Sequence, residues 1–257
     1  GNNSMILRPN WGWTGGGGPH LPLRDIHKYM TFTSENGMIG FRLDSIVGFW
    51  GTQSPMYYLI ARMINRPELS YDQILEEYTS AFGKGGPFVR QYIAHFEKIT
   101  DEAGFDISGH YPDGKLKELR ARYNLSSSGV IGHRQALQYI YPDEVLAPAY
   151  ALLDQARQAI GSEDEMALAR VQFLQDGLDE FRLARDRIAL FEKIKATRKP
   201  DAKQASAYRK IVHDLDALRA RISPTHAIWG NRVELAERRY NYPNLPKDMN
   251  LPPAEDD

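Results

Sequence analysis

The chain has 257 residues, of which 42% are hydrophobic and 25% are charged, and its formal net charge is −1. These values are typical of a globular protein with one large or two small domains. The near-zero charge gives no support for nucleic-acid binding, and the sequence has no apolar run of the length that spans a membrane. The absence of cysteine excludes disulfides, thiolate catalysis and cysteine metal sites.

The beginning of the chain predicts a strand and a glycine-rich loop. Residues 4–8 (SMILR) form a short apolar run that ends at Pro9, which is typical of a buried strand. The loop after it carries an amide and two indoles beside four glycines: Asn10, Trp11, Trp13 and Gly15 to Gly18. Two interpretations of the tryptophans stay open. They face a ligand and stack on it, or they plug the core beside a mobile connection.

A helix and a second strand are predicted next, over residues 21–36 and 38–43. One side of the helix is expected to carry four apolar or small residues, namely Leu23, Ile26, Tyr29 or Met30, and Thr33. Asn36-Gly37 ends the helix. Strand, helix and strand form one βα unit followed by a second strand, so the two strands should be parallel and joined by a right-handed connection.

The segment after the second strand carries a carboxylate, an indole and an amide, from Asp44, Trp50 and Gln53. Ser54 predicts the N-cap of the next helix and Pro55 its first position, where a missing N–H costs nothing. In α/β barrels, ligands bind at the loops that follow the strands. The three side chains suit a polyol, because they offer hydrogen bonds for hydroxyls and an aromatic face for the C–H face of a sugar ring.

Asp44 and Trp50 each have two open interpretations. Glycoside hydrolysis needs two carboxylates, and Asp44 is the only one expected at the carboxyl end of a strand here. Our hypothesis is that Asp44 orients a sugar hydroxyl while the acid and base lie on strands that this chain lacks. The alternative is that Asp44 caps its loop or pairs with Arg42 or Arg8. Trp50 forms the floor of a sugar subsite, or it anchors the loop against the following helix.

A resemblance is carried by the run FWGTQSPMYYLIAR over residues 49–62, followed by Pro67, YDQIL over residues 71–75, Tyr78 and Phe82-Gly83. This pattern resembles a bacterial family of unknown function whose large members are similar to glycoside hydrolases. Their barrel is related to those of alpha-glucuronidases and hexosaminidases. The resemblance covers residues 4–100 and implies the C-terminal portion of such a protein. It also implies a secreted or periplasmic location, although no signal peptide precedes the first strand.

From Pro55 onward, hydrophobic periodicity predicts almost only helices. Proline, glycine and serine signals place them near residues 55–65, 70–82, 86–99, 142–160, 163–197, 201–222 and 229–239. Glycine, proline and serine interrupt residues 104–132, where only a short helix over Lys115–Tyr123 is predicted. The three long helices predict an antiparallel bundle. The proline-containing, acidic end, residues 241–257, is expected to be extended.

Charges of alternating sign on the longest helix predict a solvated face with i,i+4 pairs, not a nucleic-acid patch. The residues concerned are Asp179, Glu180, Arg182, Arg185, Asp186, Arg187, Glu192, Lys193, Lys195 and Arg198. The seven histidines show no metal-binding spacing. We therefore predict no metal and no cofactor.

Together these patterns predict a mainly α chain in two parts. Residues 1–66 are expected to hold the last two βα units of a truncated TIM-like barrel, and residues 67–257 a helical C-terminal domain with an extended tail. Two parallel strands leave open edges, so the rest of a parent barrel or a second copy should cover them. We expect a fragment of a carbohydrate-active protein, contributing part of a sugar-binding face but inactive alone. The alternative is a non-catalytic helical scaffold or protein-interaction module.

Overall fold

The computed structural model describes residues 6–9, 17–43, 47–104, 115–126, 129–197 and 201–231, together with residues 233 and 235. The described part of the chain is mainly helical, as predicted. Its helices are α1 (Leu23–Glu35), α2 (Trp50–Asn65), α3 (Tyr71–Ser80), α4 (Gly86–Glu102), α5 (Lys115–Tyr123), α6 (Gly129–Ile140), α7 (Asp143–Ile160), α8 (Glu165–Thr197) and α9 (Ala202–Ile222). Its strands are β1 (Ile6–Leu7) and β2 (Gly40–Phe41), and short 3-10 turns lie at Gly83–Gly85 and Ser223–Thr225.

β1 and β2 pair in parallel, which confirms that prediction. Ile6 lies opposite Gly40 and Leu7 opposite Phe41. The Arg42 N–H continues the ladder by donating to the Leu7 carbonyl at 2.8 Å. α1 connects the strands and buries Leu23, Ile26 and Met30 among other sites of the core. Of the two residues considered for one position of its inner face, Met30 is therefore the buried one, and Tyr29 is 48% exposed.

The start of α2 was predicted wrongly, at Ser54-Pro55 instead of Trp50. Tertiary contacts explain the four additional residues. The Gly51 N–H donates to the Ala227 carbonyl at 2.7 Å, so a distant segment satisfies a donor that would otherwise need a cap. Pro55 then lies inside the helix, where it removes the N–H that would have bonded to the Gly51 carbonyl.

A single hydrophobic core joins residues from both predicted parts of the chain. Leu23, Met56 and Leu59 come from the first part, and Tyr92 and Phe181 come from the second. A smaller cluster holds the C-terminal turn against the start of α2, and it consists of Phe49, Ile222, Ala227, Ile228 and Val233. The division at residue 66 stays a prediction.

The expected solvated charges of α8 are the clearest correction. Glu180 is fully buried, and Arg185 and Arg187 are each only 5% exposed. α9 packs along this side of α8, and its Arg219 side chain donates to the Glu180 carboxylate. The prediction was wrong for these three residues, whereas Arg182, Lys193 and Lys195 are exposed as expected.

The start of α3 confirms a predicted cap and provides a test. The Gln73 N–H donates to Ser70 Oγ at 3.2 Å, and the Ser70 N–H donates to Gln73 Oε1 at 2.8 Å. We expect Ser70→Ala to lower the free energy of unfolding by about 1 kcal/mol, since it removes an N-cap acceptor. Urea denaturation measures this loss. Ser80→Ala, at the other end of α3, is the matched control and should cost less than Ser70→Ala.

Candidate functional site

The structure places two of the six predicted site residues. Trp50 and Gln53 lie in the first turn of α2, whereas Asn10, Trp11, Trp13 and Asp44 lie outside the described residues. The hypotheses for those four residues, including the two interpretations of Asp44, stay predictions. Trp50 is partly exposed and Gln53 is fully buried.

Trp50 and Gln53 both contact Tyr57, one and two turns further along α2. The ring centres of Trp50 and Tyr57 are 4.7 Å apart. The Tyr57 hydroxyl donates to Gln53 Oε1 at 2.9 Å, and burial raises the pKa of Tyr57, which keeps this donor protonated. The ring contact is what the anchoring interpretation of Trp50 requires. The exposed part of the indole is what a sugar ring would need.

The first turn of α2 also holds the end of the glycine-rich segment. Gln53 Nε2 lies 3.5 Å from the Gly18 carbonyl, and Thr52 Oγ1 donates to the Gly17 carbonyl at 2.8 Å. Gly17 has a φ of +87°, and a Cβ atom there would lie 2.8 Å from the Phe49 ring. The amide of Gln53 is thus used on both sides to seat this segment, so its present contacts are internal.

Two arginines directly follow the two strands. Arg8 and Arg42 are both exposed. Extending the strand register by one residue places them next to each other, on the same face as Ile6 and Gly40. Like charges at opposed positions repel, so this pair favours an anionic group between or near the guanidiniums. Sequence reasoning considered these arginines only as partners of Asp44. Their position directly after each strand was the available signal.

A cleft of about 690 Å³ lies at the junction of α5, α6 and α8. Polar groups and an apolar floor line it: Tyr123, Asn124, Leu125, Gln135, Gln138, Tyr139, Asp186, Ala189, Leu190, Glu192, Lys193 and Ala196. The rings of Tyr123 and Tyr139 are nearly parallel, with centres 3.9 Å apart and an angle of 8°. Sequence reasoning missed this cleft because α6 was not predicted.

Hydrogen bonds fix several groups of the cleft in place. The Ser126 N–H donates to Gln135 Oε1 at 2.9 Å, and Gln135 Nε2 donates to Glu192 Oε2 at 3.2 Å. Asp186 accepts from the Arg185 guanidinium at 2.6 Å and 2.8 Å. Burial, together with Tyr123 and Glu192, raises the pKa of Tyr139, so its hydroxyl is a proton donor at neutral pH.

Two buried histidines lie apart from both sites. His20 is 3% exposed, and His133, on α6, is 1% exposed. Burial lowers the pKa of His133 well below its usual value, and the charges of His20 and Arg120 lower it further. His133 is therefore neutral in the folded protein at pH 7.

Acidification is expected to destabilise the fold through His133. An unfolded histidine has a pKa of about 6.5, so below that pH the unfolded state binds a proton that the folded state rejects. The free energy of unfolding then falls by up to about 1.4 kcal/mol per pH unit until the folded pKa is reached. Urea denaturation between about pH 7.5 and pH 5 measures the slope. His133→Phe should flatten it, whereas His213→Gln, at a side chain that is 83% exposed, should not.

Comparisons of the chain with protein-family models, with curated proteins and with solved structures give no match. In the described part of the chain, no group of three or more histidine, aspartate or glutamate side chains is placed to hold a metal ion. None of the helices described there is both long and apolar enough to cross a membrane.

Proposed function

We propose that this chain contributes part of a saccharide-binding face to a larger carbohydrate-active, glycoside-hydrolase-like protein and is inactive alone. The observation that carries the proposal is the parallel β1–α1–β2 unit, with Trp50 at the start of the helix that follows β2. In this proposal the two strands are the end of a TIM-like barrel, and α7, α8 and α9 belong to an antiparallel bundle. The carboxyl ends of the strands are where such barrels bind ligands.

The chemistry near these strand ends favours an acidic sugar. Trp50 offers part of an indole face, and Arg8 and Arg42 offer two exposed guanidiniums. Guanidiniums bind carboxylates in a bidentate geometry, so a saccharide with uronic acid units would satisfy both the aromatic and the cationic groups. The predicted ligands Asn10, Trp11, Trp13 and Asp44 would complete this face, and Gln53 would support it from below.

A glycan array that contains acidic and neutral oligosaccharides tests the proposal. We expect this chain to bind acidic glycans weakly, with an affinity that falls as salt is raised, and to hydrolyse none of them. Trp50→Ala and Arg42→Gln should each reduce the binding, whereas Arg66→Gln, at the far end of α2, should not. An absence of binding to every acidic glycan would refute the proposed face.

The alternative, a protein-interaction module, is favoured by a separate observation. Large apolar side chains are exposed on the βα unit: Ile6 at 61%, Phe32 at 55% and Ile39 at 68%. Exposed apolar groups beside open strand edges are typical of surfaces that another polypeptide covers. Sedimentation analysis of the wild type and of Phe32→Lys distinguishes the two. Self-association that the lysine abolishes would favour the scaffold function.

A further inference from the structure

We propose that the cleft between α5, α6 and α8 is a second binding site, for a neutral oligosaccharide. It lies on helices that the strand-end proposal does not use. The inference therefore stands whether or not the strand ends bind an acidic sugar.

The cleft has the size and lining of a small-molecule site. Its volume of about 690 Å³ lies within the usual range for such sites. Leu125, Ala189, Leu190 and Ala196 form apolar patches beside the tyrosine edges. A pyranose ring needs this kind of surface for its C–H face. The remaining lining is polar, which distinguishes the cleft from a site for a purely apolar ligand.

The polar lining offers both hydrogen-bond donors and acceptors. Tyr123 and Tyr139 contribute hydroxyls, Asn124 and Gln138 contribute amides, and Glu192 contributes a carboxylate. A carboxylate has about four acceptor positions, so Glu192 can accept sugar hydroxyls in addition to the Gln135 amide. Hydroxyls, which both donate and accept, match such a mixed set better than a phosphate or an ammonium group does.

The charges around the cleft balance, which favours a neutral ligand. Asp186 is paired with Arg185, and Glu192 has Lys193 beside it in the lining. Neither an anion nor a cation would meet an excess of the opposite charge. This balance contrasts with the strand ends, where Arg8 and Arg42 bring two cations together.

The lining is also held in position before any ligand arrives. Gln135 links the Ser126 backbone to Glu192, and the parallel stack of Tyr123 and Tyr139 fixes two hydroxyl-bearing rings side by side. The Arg122 guanidinium carbon lies 5.3 Å from the centre of the Tyr123 ring and adds a cation–π contact. Side chains fixed in this way lose little freedom on binding, which favours affinity.

The test is a titration of the isotope-labelled chain with neutral tetrasaccharides, followed by ¹H–¹⁵N NMR. Xylotetraose, cellotetraose, mannotetraose and chitotetraose are the probes. At least one is expected to shift the amides of Asn124, Gln138 and Glu192 in a saturable way. Glu192→Gln should weaken that binding by about five- to tenfold, because a charged acceptor is replaced by a neutral one. Tyr139→Phe, which keeps the ring stack and removes one hydroxyl, should weaken it by a similar factor.

Matched controls separate this site from the strand ends and from loss of folding. Glu163→Gln, at an exposed position before α8, and Trp50→Ala should leave tetrasaccharide binding unchanged. Unchanged amide spectra outside the cleft show that each variant is folded. No saturable shift with any of the four probes would overturn the proposal, and so would binding that both cleft variants retain in full. A loss of binding in Trp50→Ala alone would place the neutral sugar at the strand ends instead and overturn the cleft site.

Discussion

Replacing Arg219 with leucine is expected to lower the free energy of unfolding by about 3 to 5 kcal/mol. The Arg219 guanidinium donates to Glu180 Oε1 from Nε at 2.9 Å and from Nη2 at 2.6 Å. The Glu180 side chain is 0% exposed and that of Arg219 is 10% exposed. Arg219→Leu would keep the carboxylate buried without this cation, and an uncompensated buried charge costs more than the pair itself contributes.

A double-mutant cycle distinguishes this effect from a simple loss of packing. Glu180→Met combined with Arg219→Leu removes both charges and keeps apolar volume at the α8–α9 contact, so most of the lost stability should return. The coupling between the two sites is expected to exceed about 2 kcal/mol in urea denaturation. Lys210→Leu removes an exposed cation of α9 that is paired with Asp214, and it serves as the control with little effect. An Arg219→Leu variant as stable as Lys210→Leu would contradict the argument.

This buried ion pair also shows why the charged face of α8 could not be predicted. Alternating charges at i,i+4 spacing are the same in a solvated helix and in one that a second helix covers. Asp176 on α8 is 2% exposed and accepts from Arg221 of α9 at 3.1 Å, so charges on two helices meet through tertiary packing. The sequence places both helices correctly. It does not show which of their faces meet.

The local signals were strongest where a helix end depends on its own residues. Ser70 and Asp201 cap α3 and α9 as their side chains predict, because each hydrogen bond spans only three residues. α6 begins at Gly129 directly after a serine run, and those residues read as a loop. The Tyr139 and Gln135 side of the cleft was lost with it. The cleft depends on residues from three helices, and no spacing within one segment identifies it.

The largest local deviation, at the start of α2, comes from a contact that the sequence does not reveal. Ser54-Pro55 has the form of a helix start, and the helix nevertheless begins four residues earlier. Gly51 lies against Gly177 of α8 at a distance that only glycine allows. The placement of Trp50 on a helix instead of a loop follows from this contact.

Replacing Gly177 with alanine is therefore expected to destabilise the chain by about 3 kcal/mol. A Cβ atom at residue 177 would lie 2.6 Å from the Gly51 backbone and 2.7 Å from the Thr52 nitrogen. Backbone atoms cannot rotate away, so α2 and α8 would have to separate. In a helix without such a contact, the same change would stabilise by about 1 kcal/mol, because alanine has the higher helix propensity. The sign of the effect thus reports on the contact itself, and urea denaturation measures it.

Gly40→Ala provides the matched control, since it adds the same methyl group where the nearest atom, Cγ1 of Ile6, is 3.5 Å away. That distance is an ordinary contact, and we expect a change within about 0.5 kcal/mol. Gly51→Ala should resemble Gly177→Ala, because its Cβ would lie 2.7 Å from Gly177 Cα. The double variant should cost less than the sum of the two, since one methyl group already separates the helices. A Gly177→Ala variant that is more stable than wild type would show that α2 and α8 do not meet at these glycines, and with them the seat of Trp50 and Gln53 would be lost.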